Sequence, residues 1–192
     1  MPVAKGAALD PDRTRADILA KATGLFYERG LDGIGVAELC QAVGASKETL
    51  YRHFGSKEGL VRAVLERRSD RVTAWLRAAA EAAGDDPYAQ LDAVFDALAG
   101  WHAEPGFRGC AILNAAAQHH QDPPRAVAAR HLDRRLDLLT GIAERAGVAD
   151  PVETGRQLLI LVAGATTVAD HHGDRRAAES AKRAARALLR AG

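Results

Sequence analysis

Lys47, Tyr51, Arg52 and His53 fall inside one nine-residue string, SKETLYRHF, from Ser46 to Phe54. Lysine and arginine are pure hydrogen-bond donors, and tyrosine and neutral histidine each offer one more donor. Such a set suits a partner rich in acceptors and negative charge. Projected as a helix at about 100° per residue, Leu50 and Phe54 share one face as an i, i+4 pair. Glu48 and Arg52 point away from that face, Thr49 and Tyr51 flank it, and Ser46 and Lys47 stand at the leading end. In a helix laid into a major groove, amino-terminal residues reach base edges and flanking polar groups hold phosphates. Ser56 and Lys57 follow at once, adding a positive charge at a second helix start, where free N–H groups already favour an anion. A plainer account stands beside this one: Glu48 and Arg52 are spaced as a surface ion pair of about 0.2–0.5 kcal/mol, which needs no ligand.

The elements that must position these residues are short helices. In VAELCQAVGASKETLYRHF a helix over about 36–42 is stopped by Gly44, and Ser46 is a good cap for the next. Two short helices about a glycine-containing turn form a helix-turn-helix, which demands a small residue, a turn glycine and an apolar anchor. Cys40, Gly44 and Leu50 occupy those three places. The helix before it is expected from about Thr14 to Arg29, with Thr14 as cap and Ile18, Leu19, Ala22, Leu25 and Phe26 as its buried stripe. Asp86-Pro87, Asp122-Pro123 and Asp150-Pro151 mark further starts, the last with Glu153 completing a capping box. No strand alternation interrupts the helical spacing, so the fold class is all-α, with about nine helices.

The string GVAELCQAVGASKETLYRHFGSKEGLVRAVL, with RTRADILAKATGLFYERGLDGIGV before it, resembles the DNA-binding domain of TetR-family transcriptional regulators over about residues 13 to 66. The specific part is TLYRHFGSKEGL. The resemblance implies base contacts from Lys47, Glu48 and Tyr51 and phosphate contacts from Thr49, His53 and Lys57. Ser46 would cap the recognition helix, and Arg52 is a secondary candidate from its projection. The family usually carries threonine or serine where this chain has Gly35, so one side-chain phosphate contact is lost. The expected organisation is an arm over residues 1–12, a three-helix domain over 13–57, and a larger ligand-binding and dimerisation domain over 58–192. A long helix from about 56 to 83 would be shared between the two and carry a ligand signal as a tilt.

In the second half, RGCAILNAAAQHH places Asn114 four residues after Cys110 on an alanine-rich helix. Trp101, His102, Cys110, Asn114 and His131 are the candidate ligand-binding residues. Asn114 either contacts ligand or satisfies a backbone carbonyl where helices cross. Around Leu158–Ala163 apolar residues cover nearly the whole circumference, so the helix has two buried sides. Leu158, Leu161, Val162 and Ala165, with Ala181, Ala185 and Leu188 of the last helix, are the expected homodimer interface.

Composition narrows the rest. Lys+Arg is 26 against Asp+Glu 25, so any nucleic-acid surface is a local patch. His119-His120 and His171-His172 are adjacent pairs, not the i, i+4 spacing of a helical metal site, and no metal or cofactor is expected. The two cysteines suggest neither a disulfide framework nor a zinc site. With no signal-like apolar run, a cytoplasmic protein is expected. No nucleophile elbow, Walker loop or HExxH string argues for an enzyme. The reading is therefore a repressor that leaves a pseudo-palindromic double-stranded operator on binding a small-molecule effector. A helical metal-dependent enzyme and a protein-interaction module are its rivals.

Overall fold

The computed structural model describes residues 10–191. They form nine α-helices and no strand: α1 Pro11–Arg29, α2 Val36–Val43, α3 Lys47–Phe54, α4 Lys57–Ala82, α5 Pro87–His102, α6 Ala111–Gln118, α7 Pro124–Ala146, α8 Pro151–His171 and α9 Ala177–Ala191. Residues 1–9 of the expected arm lie outside the described residues, whereas residues 10–12 open α1. The cap is Asp10, not Thr14. Its carboxylate accepts from the Asp12 N–H at 3.0 Å, and Pro11 takes the first helical position. This is the same Asp-Pro start seen later in the chain; proline's fixed φ and missing N–H begin the helix as soon as an acceptor precedes it.

Asp86 caps α5 through the Tyr88 N–H, and Asp150 caps α8 through the Glu153 N–H at 2.9 Å. The capping box at α8 is half formed, because the Glu153 carboxylate turns to Arg156 and Gln157 instead. At the third site α7 begins one residue late, at Pro124, and Asp122 reaches the Ala126 N–H.

The helix-turn-helix is α2 and α3. Gly44 closes α2 in the left-handed region at φ 73°, a conformation that Cβ penalises. Lys21 of α1 donates to the Val43 carbonyl at 3.0 Å and so neutralises the carboxyl end of α2. Leu50 is the anchor, fully buried, and Cys40 is half-buried beside it. Gly35 does cap α2, in extended backbone and without a side-chain bond.

Two apolar cores divide the molecule. One joins Ile18, Leu39, Leu50, Leu60 and Val64 of α1–α4 to Ile112 of α6 and Val127 of α7. The other gathers the far end of α4 with α5, α8, α9 and the far end of α7, around Phe95, Leu139, Leu158 and Ala185. α4, 26 residues long and hence about 39 Å, runs through both. Trp101 packs against both.

Candidate nucleic-acid interface

α3 has one fully buried side chain, Leu50, with Tyr51 and Phe54 packed partly against the same core, so its Lys47, Glu48 and Arg52 face is open to a partner. The Ser46 hydroxyl accepts from the Thr49 N–H at 3.1 Å and lies 2.9 Å from the Thr49 hydroxyl, which fixes the leading turn. Lys47 Nζ stands 5.5 Å from the centre of the Tyr51 ring, a cation–aromatic contact that orients both. Glu48 and Arg52 do form the i, i+4 pair, at 2.6 Å, but both remain mostly exposed. An exposed pair is worth about 1 kcal/mol at most, so either side chain can exchange its partner for one on DNA. His53 is half-buried, its ring tilted against Phe54.

Lys57 departs from expectation. Its ammonium donates to the carbonyls of Ile34 at 2.7 Å and Leu31 at 3.0 Å. Two of its three donors are thus spent holding the α1–α2 connection, and the side chain swings inward rather than toward a phosphate. The amino end of α4 is already served by chain groups: Ser56 accepts from the Gly59 N–H. Glu58 has its carboxyl held below the usual range by its own backbone N–H and then by Ser56. Lys57 is therefore placed to brace the α1–α2 connection. Arg15 and Arg62, which sequence reasoning did not single out, are both exposed and line a cleft of about 470 Å³ with His53, Ser56 and the acids Glu58 and Glu66. Each looks like an ordinary surface arginine until the crossing of α1 and α4 brings them to one side.

Of the candidate ligand residues, the structure gathers some and separates one. His131 is fully buried, with Nδ1 3.0 Å from the Ser69 hydroxyl and Nε2 3.7 Å from the Cys110 sulfur. Burial first, then the charges of Arg135, Arg134 and Arg68, lower its pKa to about 3, so it is neutral. Trp101 and His102 share an aromatic cluster with Phe107. His102 is buried, has Nε2 3.3 Å from Thr166 Oγ1, and is held neutral by desolvation. Its Nδ1 has no partner among the described residues. Asn114 turns to the outside and donates to the Arg108 carbonyl at 2.8 Å, the backbone-satisfying alternative. Arg135 and Ser69 were not foreseen, although Arg135 sits on the α7 stripe His131–Arg135–Leu139, where spacing calls for an apolar residue.

Five of the seven candidate dimer residues are corrected. Leu158, Val162, Ala165, Ala181 and Ala185 are buried in the chain's own core, and only Leu161 and Leu188 are partly open. The outward face of α8 is instead Ile160, 68% exposed, and Val168, 44% exposed, with exposed Gly164 between them. An all-round apolar helix does not reveal from its sequence which side its own domain covers.

Comparison with known proteins agrees with this geometry. The family described as bacterial regulatory proteins, tetR family, matches residues 18–64. A solved TetR-family transcriptional regulator from Streptomyces coelicolor is 30% identical. It superposes with a TM-score of 0.84 over 93% of this chain and 95% of its own. This chain belongs to the TetR family. It is a transcriptional regulator of the DNA-binding, helix-turn-helix kind and not an enzyme. The transcriptional activator FasR of Mycolicibacterium smegmatis is 34% identical over 107 residues, 54% of this chain and 48% of that protein. The transcriptional repressor ComR of Escherichia coli is 48% identical over 56 residues, 29% of this chain and 27% of that protein. The chain thus spans about half the length of FasR and about a quarter of ComR.

Two outcomes follow from the charges inside. Lys57→Met leaves the Leu31 and Ile34 carbonyls without their donor and should cost on the order of 1–3 kcal/mol in urea unfolding; unchanged stability would return Lys57 to the phosphate-contacting set. His131, whose folded pKa lies below its ordinary value, contributes its full stability above about pH 6.5 and loses it as pH falls toward about 3. The expected slope is about 1.4 kcal/mol per pH unit for one proton. His131→Gln should remove that slope between about pH 6 and 4, measured as urea midpoints across pH; an unaltered slope would show that another group titrates.

Proposed function

We propose that the chain is a homodimeric repressor released from a pseudo-palindromic operator by a small-molecule effector, acting in the cytoplasm. The observation that carries the reading is α3 itself: a helix pinned by one buried leucine, with Lys47, Glu48 and Thr49 at its open leading turn and Tyr51 and Arg52 behind them. Lys47, Glu48 and Tyr51 are assigned to base edges, Thr49 and His53 to phosphates, Ser46 to the cap and Arg52 to either. Arg15 and Arg62 join the phosphate set. Successive major grooves lie about 34–36 Å apart, a span that two copies joined through α8 and α9 would bridge.

The exposed Ile160–Gly164–Val168 face of α8 supports the dimer, because its apolar side chains flank a glycine that admits close backbone approach. The effector compartment is assigned to the region of Trp101, His102, Cys110 and His131, where α4 to α7 meet between the two cores. Repression requires only that the bound dimer occupy its operator. Release requires that the effector prefer a splayed dimer, by about 5.5 kcal/mol to turn a 99:1 population into 1:99.

The reading is tested by fluorescence anisotropy on DNA from upstream of the protein's own gene, at two salt concentrations. Salt-sensitive binding well above that to scrambled DNA is expected, and Tyr51→Ala should lose about 1–3 kcal/mol of it. Equal affinity in that variant would remove the recognition-helix assignment. Ile160→Glu places a charge on the outward face of α8. Sedimentation should show monomers with native helicity, whereas an intact dimer would move the interface elsewhere.

A further inference from the structure

At the middle of α7 the Arg135 side chain is 2% exposed, and its Nε, Nη1 and Nη2 have no hydrogen-bond partner among the described residues. Two acids of the facing stretch of α4 are already taken: Asp70 pairs with Arg134 and Glu66 with Arg130, both at the surface. Burial lowers the pKa of Arg135, and only the neighbouring Cys110 sulfur, by its charge and a weak contact that falls short of hydrogen-bond geometry, acts in the opposite direction. A thiol is a weak acceptor, and arginine does not escape by giving up its proton. An unpaired guanidinium is among the costliest groups a core can hold.

The surroundings suit an incoming anion. One turn before Arg135 on the same stripe is His131, which lies against Ser69 of α4 and Cys110. Cys110 is the cap residue of α6 and makes no side-chain cap bond, so the first N–H groups of α6 are uncapped beside the guanidinium. One turn after Arg135 is buried Leu139, part of the second core. Alongside lies a cleft of about 500 Å³ whose apolar wall is Val72, Trp75 and Trp101 and whose charged rim is Arg68, Arg71 and Glu104. Arg68 immediately precedes Ser69, whose hydroxyl lies 3.0 Å from His131 Nδ1, so the α4 wall of this cleft adjoins the residue that His131 touches.

We propose that Arg135 anchors a buried site for a small organic molecule bearing one carboxylate, whose apolar body extends into the Trp75–Trp101 cleft. The planar fork of a guanidinium matches a carboxylate with two parallel bonds. At the buried end one guanidinium balances one carboxylate. The site lies at the seam of the two cores, since Cys110 belongs to the core beneath α3 and Leu139 to the other. Occupation there draws α6 and α7 together, and this use of the site as a switch rests on the effector-released reading given above.

The test is thermal melting of the full-length dialysed protein with straight-chain monocarboxylates from acetate to decanoate and with benzoate. Each is set beside its primary amide and beside chloride and phosphate. At least one carboxylate should raise the melting temperature with saturation, its amide binding at least tenfold more weakly. Arg135→Met, which keeps length without charge, should melt no lower than the parent without ligand and should lose carboxylate binding at least tenfold. A variant that melts lower and binds as before, a panel without a shift, or equal effects from phosphate would overturn the proposal. The same compounds are added to the operator complex in the anisotropy assay. A carboxylate that binds without releasing DNA keeps the site and removes its role as the switch. Release by the neutral amides, with no selectivity for the acids, keeps the effector reading and removes the carboxylate site.

Discussion

The apolar core beneath α3 is closed by residues from both halves of the chain, and the rest of the structure depends on that shared burial. Leu50, Leu39 and Ile18 cannot leave water by packing on one another alone; Ile112 of α6 and Val127 of α7, both nearly inaccessible, complete the enclosure. Each buried side chain of this size stabilises by about 1.5–3 kcal/mol. A displacement of α6 or α7 therefore strains the platform that orients the recognition helix. A densely packed interior transmits such a shift instead of absorbing it.

Polar contacts follow the same division. Lys57 and Lys21 each give their ammonium to a backbone carbonyl of the amino-terminal helices. These two lysines stabilise the frame, while Lys47, Arg52, Arg15 and Arg62 remain at its surface. A chain with almost no net charge can still present a cationic face, because some of its cations are turned inward and its surface acids are paired locally. Farther in, Arg135, His131 and Cys110 bring unusual polarity to the seam where the two cores meet. A buried charge without a partner is a cost that packing elsewhere must offset, and it makes that seam sensitive to whatever enters it.

Much of this was legible in the order of residues, wherever the governing interaction is local. The helix-turn-helix, its Ser46 cap, the Gly44 turn and the Asp-Pro starts all depend on contacts within about four residues. The Asp10-Pro11 start carries the same local signal as the later Asp-Pro starts. The Glu48–Arg52 pair was equally plain from its spacing, and its exposure leaves both side chains exchangeable.

Tertiary structure alone decided the rest, because helical periodicity gives the phase of a face but not what lies opposite it. Leu158 and Ile160 are both apolar and two residues apart; one is fully buried and the other 68% exposed, according to where α7 and α9 happen to lie. Lys57 was judged by its position at a helix start, yet the carbonyls that capture it come from Leu31 and Ile34, more than twenty residues earlier. Spacing alone puts Arg135 on the inward stripe of α7, but only the packing of α4 and α6 shows that Asp70 goes to Arg134. The order of residues determined the helices, their caps and the character of the recognition helix. Long-range packing decided which charges became structure, which remained at the surface, and that Arg135 was sealed inside with no hydrogen-bond partner among the described residues.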